Sequence, residues 1–297
     1  MRVMRVVIAG LLLLASVTPA AAADPIVEPI GQTSWYLALG DSLAAGYQPI
    51  GDPANDHMTR AGYPDQLWLM SRARYPDLQL LNLACPGETT ATIRLDNGRC
   101  TYEQGSQLAE ALGFIEAHRD ELAFITIDIG FNDFDCTDDI LCVFTGLANI
   151  HERLPAVLAE LQAAAPDVPI VGMNIYDPFL TLWFDEETRV TAGQSVVAVQ
   201  MLNEALAEVY STAGIPVADV AAAFVIDDWA TRVPMAGLGD VPLNVALLCE
   251  RTWQCHRPPL GPDRHPNILG QRVMAEAFAR ELGLSPVGID VGSGAPG

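Results

Sequence analysis

"WYLALGDSLAAG", residues 35–46, is an apolar run that breaks into small and polar residues from Gly40 onward. Four further apolar runs occur along the chain, separated by segments whose apolar residues recur every three to four positions. Continuous apolar strands that alternate with amphipathic helices are typical of a parallel sheet covered on both faces. The predicted strands are 35–39, 78–84, 122–129, 168–176 and 215–220, and the predicted helices are 63–75, 105–120, 149–166, 192–214 and 265–283. The sequence therefore predicts an α/β fold with a central parallel sheet.

The first 23 residues are typical of an export signal. Arg2 and Arg5 precede the apolar run 6–15, and three alanines come before Asp24. We expect this segment to be removed, which leaves a chain of one domain, 24–297, because no repeat or low-complexity linker divides it. Within that domain, 224–262 fits neither periodicity and is predicted to be a loop insertion near a site. The last residues, 285–297, are predicted to be a loose tail.

The charge of the chain restricts its partners. The 16 basic residues, all arginines, face 37 acidic residues, for a formal net charge of −21. Nucleic acid and anionic lipid head groups would be repelled by such a surface. No segment after the signal is long and apolar enough to cross a bilayer. We therefore expect a soluble protein outside the cytoplasm, secreted or periplasmic, that binds neither nucleic acid nor the membrane interior.

Six cysteines in a chain with an export signal predict disulfide bonds. The sequence alone leaves their connectivity open, but each neighbouring pair is close enough to close a local loop. The favoured pairs are Cys85 with Cys100, Cys136 with Cys142, and Cys249 with Cys255. No pair has the two-residue spacing of a zinc site, and the five histidines are scattered. Neither a metal nor another cofactor is predicted.

Polar segments follow three of the predicted strands and begin the last helix. Ser42 follows the first strand, "NLACPGETT" the second and "DIGFND" the third, while "PDRHPN" begins the last helix. Each segment alone is ordinary, since a serine after a strand is more often a helix cap than a nucleophile. Ligands of open parallel sheets, however, bind beyond the carboxyl ends of the strands. Together these segments predict one site at that edge.

Four short motifs resemble those of the GDSL, or SGNH, hydrolases, in the order that this family has. They are "GDSL" at 40–43, the glycine of "CPGETT", "GFND" at 130–133 and "HPN" at 265–267. The resemblance implies a three-layer α/β/α sandwich of flavodoxin-like type in which Ser42 is the nucleophile and His265 the base. It also implies an oxyanion hole formed by the backbone N–H groups of Ser42 and Gly87 and the side chain of Asn132.

The third member of the catalytic set is left open. The family has an aspartate three residues before the histidine, and this chain has Pro262 there. Either Asp263 turns inward to orient His265, or a backbone carbonyl of the same loop does so. We favour Asp263, because a carboxylate also stabilises the imidazolium that forms during the reaction. Asp41 and Asp133 are interpreted as residues that cap a helix or hold a loop.

The residue types fit ester hydrolysis by an exported serine enzyme. An imidazole with an ordinary pKa of about 6.5 can take the proton of a serine near neutral pH. Residues 174–184 and 224–262 are candidate walls of a groove, so we expect a small-molecule or lipid ester with an apolar acyl group as substrate. Two alternatives remain: a carbohydrate acetylesterase that uses the same site, and a binding protein of the same fold without catalysis.

Overall fold

A computed structural model describes residues 34–55, 57–96, 98–134 and 140–284. The predicted export signal and the predicted tail lie outside these residues, as does Cys136. Within the described part of the chain, no helix combines the length and apolar character that a bilayer crossing requires.

The centre of the structure is a five-stranded, fully parallel sheet. The last five residues of β1 and of β3 are all buried, which explains why both strands are continuous apolar runs in the sequence. Two polar groups inside this core satisfy each other, because Tyr36 Oη and Thr126 Oγ1 are 2.8 Å apart. The strands, in the spatial order β2-β1-β3-β4-β5, are β1 Ser34–Gly40, β2 Leu78–Asn82, β3 Leu122–Asp128, β4 Ile170–Met173 and β5 Val217–Ala218.

The helices pack in two groups, one on each face of the sheet. The larger helices are α1 Tyr63–Ser71, α2 Gln107–His118, α3 Ile140–Ala164, α4 Arg189–Thr212 and α7 Ile268–Glu281, and the shorter ones are α5 Val220–Phe224 and α6 Leu243–Arg251. Helix α1 packs against α7, whereas α2 packs against α3 and α3 against α4. The sheet between the two groups makes the three-layer α/β/α sandwich, and its strand order is flavodoxin-like, as predicted.

The last two strands are shorter than the apolar runs that predict them. The run 168–176 contributes only the four residues of β4, and the run 215–220 only the two of β5. Beyond β4 the backbone N–H of Ile175 donates to Asn203 Oδ1, and Asn203 Nδ2 donates to Ile175 O. A side-chain amide thus takes the place of a neighbouring strand, so Ile175 is buried without being part of the ladder.

The starts of α3 and α7 also differ from the prediction. Helix α3 begins nine residues before the predicted position, because exposed apolar residues such as Leu141 and Phe144 obscure its periodicity. Helix α7 begins after Asn267, whose side chain accepts hydrogen bonds from Leu269 N and Gly270 N. Pro266 therefore lies before the cap and outside the first turn.

The segment predicted as a loop insertion, 224–262, contains regular structure. It forms an antiparallel hairpin of β6 Arg232–Met235 and β7 Gly239–Pro242, followed directly by α6. Prolines within both four-residue strands conceal their alternation in the sequence. The tight turn between them uses Gly237 and Gly239, which both have positive φ.

The strand order places a crevice at the carboxyl ends of β1 and β3. The chain leaves β1 toward β2 on one side and reaches β3 on the other, so connections diverge at this point. Such a switch point is where open α/β sheets bind ligands. Ser42 and Asn132 lie in the loops that leave these two strands.

Candidate active site

The loop after β1 is held by hydrogen bonds to the side chain of Asp128, the last residue of β3. Asp128 Oδ1 accepts a hydrogen bond from Asp41 N at 3.3 Å, and Oδ2 accepts one from Ala44 N at 3.1 Å. Gly40 is required here, since its φ is +153° and a Cβ would lie 1.3 Å from Asp128 Oδ1. Burial raises the pKa of the Asp128 carboxyl well above its usual range, and the neighbouring Asp41 adds to that rise. The turn that presents Ser42 is therefore built on a buried acid.

Ser42, His265 and Asp263 form a continuous hydrogen-bonded chain. His265 Nε2 lies 2.9 Å from Ser42 Oγ, although 223 positions separate the two residues. On the other side of the ring, Nδ1 lies 2.9 Å from Asp263 Oδ1. The same carboxylate oxygen accepts the backbone N–H of His265 at 2.8 Å. The group in contact with Nδ1 of His265 is thus the Asp263 carboxylate.

The electrostatics of Asp263 fit a carboxylate that stays ionised. Partial burial acts to raise its pKa, but the hydrogen bond and the charge of His265 outweigh burial, and the pKa lies below its ordinary value. The imidazole ring is also packed on its face, because Tyr47 stacks on it with a distance of 4.0 Å between ring centroids. Ring stacking and the carboxylate together fix the orientation of His265.

Two backbone N–H groups lie in the same cavity without an acceptor. Among the described residues, neither Ser42 N nor Gly87 N donates a hydrogen bond to a protein acceptor. Gly87 has a φ of +76°, and a Cβ there would lie 2.4 Å from Arg99 Nη1. Both N–H groups are therefore available to a substrate oxygen.

Asn132 is fixed by two acceptors, which the sequence does not predict. Its Nδ2 donates to Asp41 Oδ2 and to the backbone oxygen of Glu88, each at 2.9 Å. Asp41 also accepts the N–H of Leu43 at 2.9 Å. An oxygen of a bound ester would therefore have to share an amide hydrogen that Asn132 already donates.

The two aspartates beside these motifs hold loops, which is the role that the sequence suggests for them. Burial raises the pKa of Asp41 to about 7; the hydrogen bond from Leu43 opposes this rise, and the Glu88 carboxylate adds to it. Asp133 accepts from Thr90 N at 2.9 Å and from Thr90 Oγ1 at 2.6 Å. It thereby joins the loop after β3 to the loop that carries Gly87.

A glutamine that no motif singles out connects the two halves of the site. Gln48 is buried, its Nε2 donates to Pro266 O at 3.1 Å, and its Oε1 accepts from Trp253 Nε1 at 2.7 Å. The backbone of Trp253 in turn donates to His265 O and accepts from Asp263 N. The loop after β1 is thus tied to the segment that carries His265. Nothing in the sequence marks this glutamine, because its partners are remote along the chain.

Two of the three predicted disulfides are confirmed. Cys85 is bonded to Cys100 with a Cα–Cα distance of 6.0 Å, and Cys249 to Cys255 with 5.0 Å. The first closes the loop that contains Gly87, and the second lies at the end of α6, ahead of His265. The third predicted pair includes Cys136, outside the described residues, so Cys136–Cys142 stays a prediction.

The site opens into a cavity of about 290 Å³. Ile175, Tyr176 and Pro178 form one wall, as expected for the segment 174–184, whereas no residue of 224–262 lines it. The prediction that this insertion forms a wall is wrong, because its hairpin and helix pack away from the cavity. A larger cavity, about 380 Å³, lies at the amino ends of β3 and β4 and contains neither Ser42 nor His265. Within the described residues, no group of three histidine, cysteine or acidic side chains could hold a metal ion.

Comparison with solved structures identifies similar folds. The chain is similar to the phospholipase A1 of Streptomyces albidoflavus NA297, with 21% identity, 84% of this chain and 99% of that chain covered, and a TM-score of 0.53. It is similar to the extracellular lipase of Streptomyces rimosus, with 18% identity, 83% and 99% coverage, and a TM-score of 0.53. It is also similar to the lipase Lip_vut3 from a goat rumen metagenome, with 18% identity, 85% and 99% coverage, and a TM-score of 0.51. At these identities the likeness shows the fold alone.

A search of the curated proteins finds no match to this chain. The model of the GDSL-like Lipase/Acylhydrolase family, by contrast, matches residues 38–273, which is most of the sequence and includes all four motifs. Lipase and acylhydrolase are the activities named for this family, and a lipase is an enzyme that cleaves carboxylic esters. The chain therefore belongs to the GDSL-like Lipase/Acylhydrolase family and is a carboxylic ester hydrolase.

Proposed function

We propose that this protein hydrolyses carboxylic esters through an acyl-enzyme on Ser42, with His265 as general base and Asp263 as its orienting carboxylate. One observation carries the proposal: Ser42 Oγ, the His265 ring and Asp263 form a continuous chain with two contacts of 2.9 Å. A serine hydroxyl becomes nucleophilic when an adjacent base removes its proton. The base needs a third group to hold its tautomer, and Asp263 is placed to accept Nδ1–H.

In the proposed first step, Ser42 Oγ attacks the ester carbonyl carbon and its proton moves to His265 Nε2. The carbonyl oxygen becomes an oxyanion that accepts hydrogen bonds from the backbone N–H groups of Ser42 and Gly87. Asn132 shares with it an amide hydrogen that it also donates within the protein. Collapse of this intermediate breaks the bond to the alcohol oxygen, which leaves with the proton from His265. A water molecule then attacks the acyl-enzyme in the same way and releases the carboxylic acid.

We further propose that the substrate has an apolar acyl group and that the protein acts outside the cytoplasm. Phe131, Ile175 and Pro178 give the cavity apolar walls on which an acyl chain can pack. Two disulfides favour an oxidising compartment. Among the similar structures, one is a phospholipase A1 and another an extracellular lipase, which supports a lipid-like ester as substrate.

Labelling with a fluorophosphonate, together with hydrolysis of 4-nitrophenyl esters of increasing chain length, tests this proposal. Wild-type protein should be labelled and should turn over these esters. Ser42→Ala should lose both properties, and His265→Ala should lose turnover. Ser211→Ala, at an exposed serine near the end of α4, is the matched control and should behave as wild type. Absence of labelling in wild type, or full activity in Ser42→Ala, would refute the mechanism and favour a binding protein.

A further inference from the structure

The active-site cavity contains two arginine side chains in a strongly acidic protein. Arg99 and Arg264 both line the cavity that holds Ser42 and His265. The chain has 16 basic residues against 37 acidic ones, so two guanidinium groups at one cavity stand out from the overall charge. Among the described residues of the lining, the carboxylate is that of Asp41, which is buried next to Ser42. The described lining therefore contains two guanidinium groups, and Arg264 also interacts with the neighbouring Asp263, whose pKa it helps to lower.

Arg99 lies against the proposed oxyanion loop. Its Nη1 donates to Pro86 O at 3.2 Å and lies 2.4 Å from the place where a Gly87 Cβ would be. The next residue, Cys100, is bonded to Cys85, which ties both ends of this loop together. The guanidinium of Arg99 is thus held beside Gly87, on the carbonyl side of the Pro86–Gly87 peptide.

Arg264 lies beside the proposed base. It stands between Asp263 and His265 in the sequence, and its guanidinium carbon lies 5.6 Å from the centroid of the Phe179 ring. Among the described residues, no carboxylate oxygen lies within 4 Å of its guanidinium nitrogens. Its side chain is exposed at the mouth of the cavity. An anionic group of a bound molecule can therefore approach it directly.

We infer that this cavity selects dissolved esters that carry, in addition to an apolar acyl stem, a carboxylate or phosphate close to the ester bond, and that Arg99 and Arg264 bind this charged group. The inference rests on the proposed function, since it concerns the substrate of the same site. A guanidinium presents a planar fork of donors that matches a carboxylate or a phosphate. The net negative charge of the whole protein opposes binding to an anionic membrane surface, which is why we infer a dissolved ester.

Isosteric ester pairs that differ only in charge test this inference. One pair carries the charge on the acyl side: the 4-nitrophenyl monoester of adipic acid and that of its neutral monoamide. The other carries it on the alcohol side: 4-acetoxybenzoate and 4-acetoxybenzamide. In wild type, kcat/KM should be higher for the anionic member of at least one pair, and this ratio should fall as salt is added.

Two substitutions assign the preference to the arginines. Arg99→Gln and Arg264→Gln should each lower the ratio of kcat/KM, anionic over neutral, by about tenfold, as the loss of a charge-assisted hydrogen bond at an accessible site predicts. Turnover of the neutral ester shows that each variant is folded and has a working oxyanion loop. Arg280→Gln is the matched control: it removes the same charge near the far end of α7, about 18 Å along the helix, and should leave the ratio unchanged.

The outcomes separate this inference from the proposed function. A wild-type ratio at or below one for both pairs, or a ratio that neither substitution changes, overturns the inference while ester hydrolysis stands. If wild type hydrolyses no ester in a Ser42-dependent way, the proposed function fails and the inference fails with it.

Discussion

Asp263 lies two positions before His265, and its carboxylate reaches forward along the chain to the imidazole. One oxygen, Oδ1, accepts both the backbone N–H and the ring Nδ1 of His265. In the family pattern the aspartate lies three positions before the histidine, where this chain has Pro262. Here the contact with the imidazole is made from two positions before it. Local backbone geometry thus places the carboxylate of Asp263 against the ring of His265.

Asp263→Asn should lower kcat by a hundredfold or more, because an amide at this position can hold His265 in the wrong tautomer and cannot stabilise an imidazolium (roughly 10²–10⁴ by analogy with other triads). Steady-state kinetics on a soluble ester measure this effect. Glu121→Gln is the matched control, since Glu121 pairs with His118 at 2.8 Å on the surface. A near-normal kcat in Asp263→Asn would assign the orienting role to the backbone instead.

Asn132 is predicted to act on the transition state more than on substrate binding. Its amide is fixed by Asp41 and by the backbone oxygen of Glu88, so it is oriented before a substrate arrives. Asn132→Ala should therefore lower kcat by about 10²–10³, as the loss of one oxyanion donor does, with a much smaller change in KM. An unchanged kcat would leave the two backbone N–H groups as the only donors.

At the scale of elements, the disulfides brace loops and not the sheet. Cys85–Cys100 encloses the loop with Gly87 and Arg99, and Cys249–Cys255 joins the end of α6 to the segment whose Trp253 backbone bonds to His265 and Asp263. A closed loop of about 15 residues is worth about 3 kcal/mol in the chain-entropy model. The strands of the core have no cysteine and depend on burial of apolar side chains.

Reduction should therefore lower activity at temperatures where the far-ultraviolet circular dichroism is still native. The double variant Cys85→Ala/Cys100→Ala should show the same loss without a reductant, because the loop with Gly87 loosens while the sheet persists. Activity and dichroism are measured on the same sample through a temperature series. Simultaneous loss of both signals would mean that the bridges hold the whole fold.

The elements show which features a sequence pattern can predict. Strands β1 and β3 follow from continuous apolar runs, because burial on both faces requires them. The edge strand β2 is also predicted from its apolar run, although it is only partly buried. Hydrophobicity reports burial and not hydrogen bonding, however, so the pattern extends β4 through Ile175, whose backbone is bonded by Asn203. The hairpin β6–β7 is missed for a related reason: prolines interrupt strands that are too short to show a period.

The candidate site likewise contains residues that the sequence predicts and residues that it does not. Ser42, Gly87, Asn132 and His265 follow from motifs at the ends of strands and the start of α7, and the structure brings them to one cavity. The residues that hold them, such as Asp128, Gln48 and Gln271, act through partners that are far apart along the chain. Only the folded chain brings such partners together, so no local pattern could identify them.

At the scale of the whole molecule, several buried carboxyl groups have no cationic partner within the part of the chain that the structure describes. Burial raises the pKa values of Asp41 and Asp177 to about 7 and about 6, and that of Asp128 well above its usual range. A raised pKa of an acid means that the folded state binds the proton more tightly than the unfolded state. The stability that these groups contribute is present below the unfolded pKa and is lost as the pH rises through the folded pKa.

We therefore expect the free energy of unfolding to fall between pH 4 and pH 7.5. Asp177→Asn should remove part of this fall: Phe179 N can still donate to Oδ1, and Ser195 can donate to Ala192 O instead of to the carboxylate. A pKa raised from 3.8 to about 6 corresponds to about 3 kcal/mol. Urea unfolding at both pH values should show the variant gaining up to that amount over wild type at pH 7.5 only.

The control for this prediction is Asp167→Asn, which removes the same charge at an exposed turn and should not alter the pH dependence. An advantage of Asp177→Asn over wild type that is the same at both pH values would show that Asp177 does not titrate as its burial implies.

The contact between the loop after the first strand and the last helix affects the stage of folding at which the enzyme becomes active. Gln271 of α7 donates to Leu43 O, next to Ser42, and its Oε1 accepts from Tyr63 N at the start of α1. The loop that carries Ser42 therefore has all of its native contacts only after a helix more than 220 residues later has docked. Contacts of such long range carry a high loop-closure cost and tend to form late in folding. During refolding from denaturant, the recovery of ester turnover should thus lag behind the recovery of helical signal. The rate at which turnover returns would then report the docking of α7.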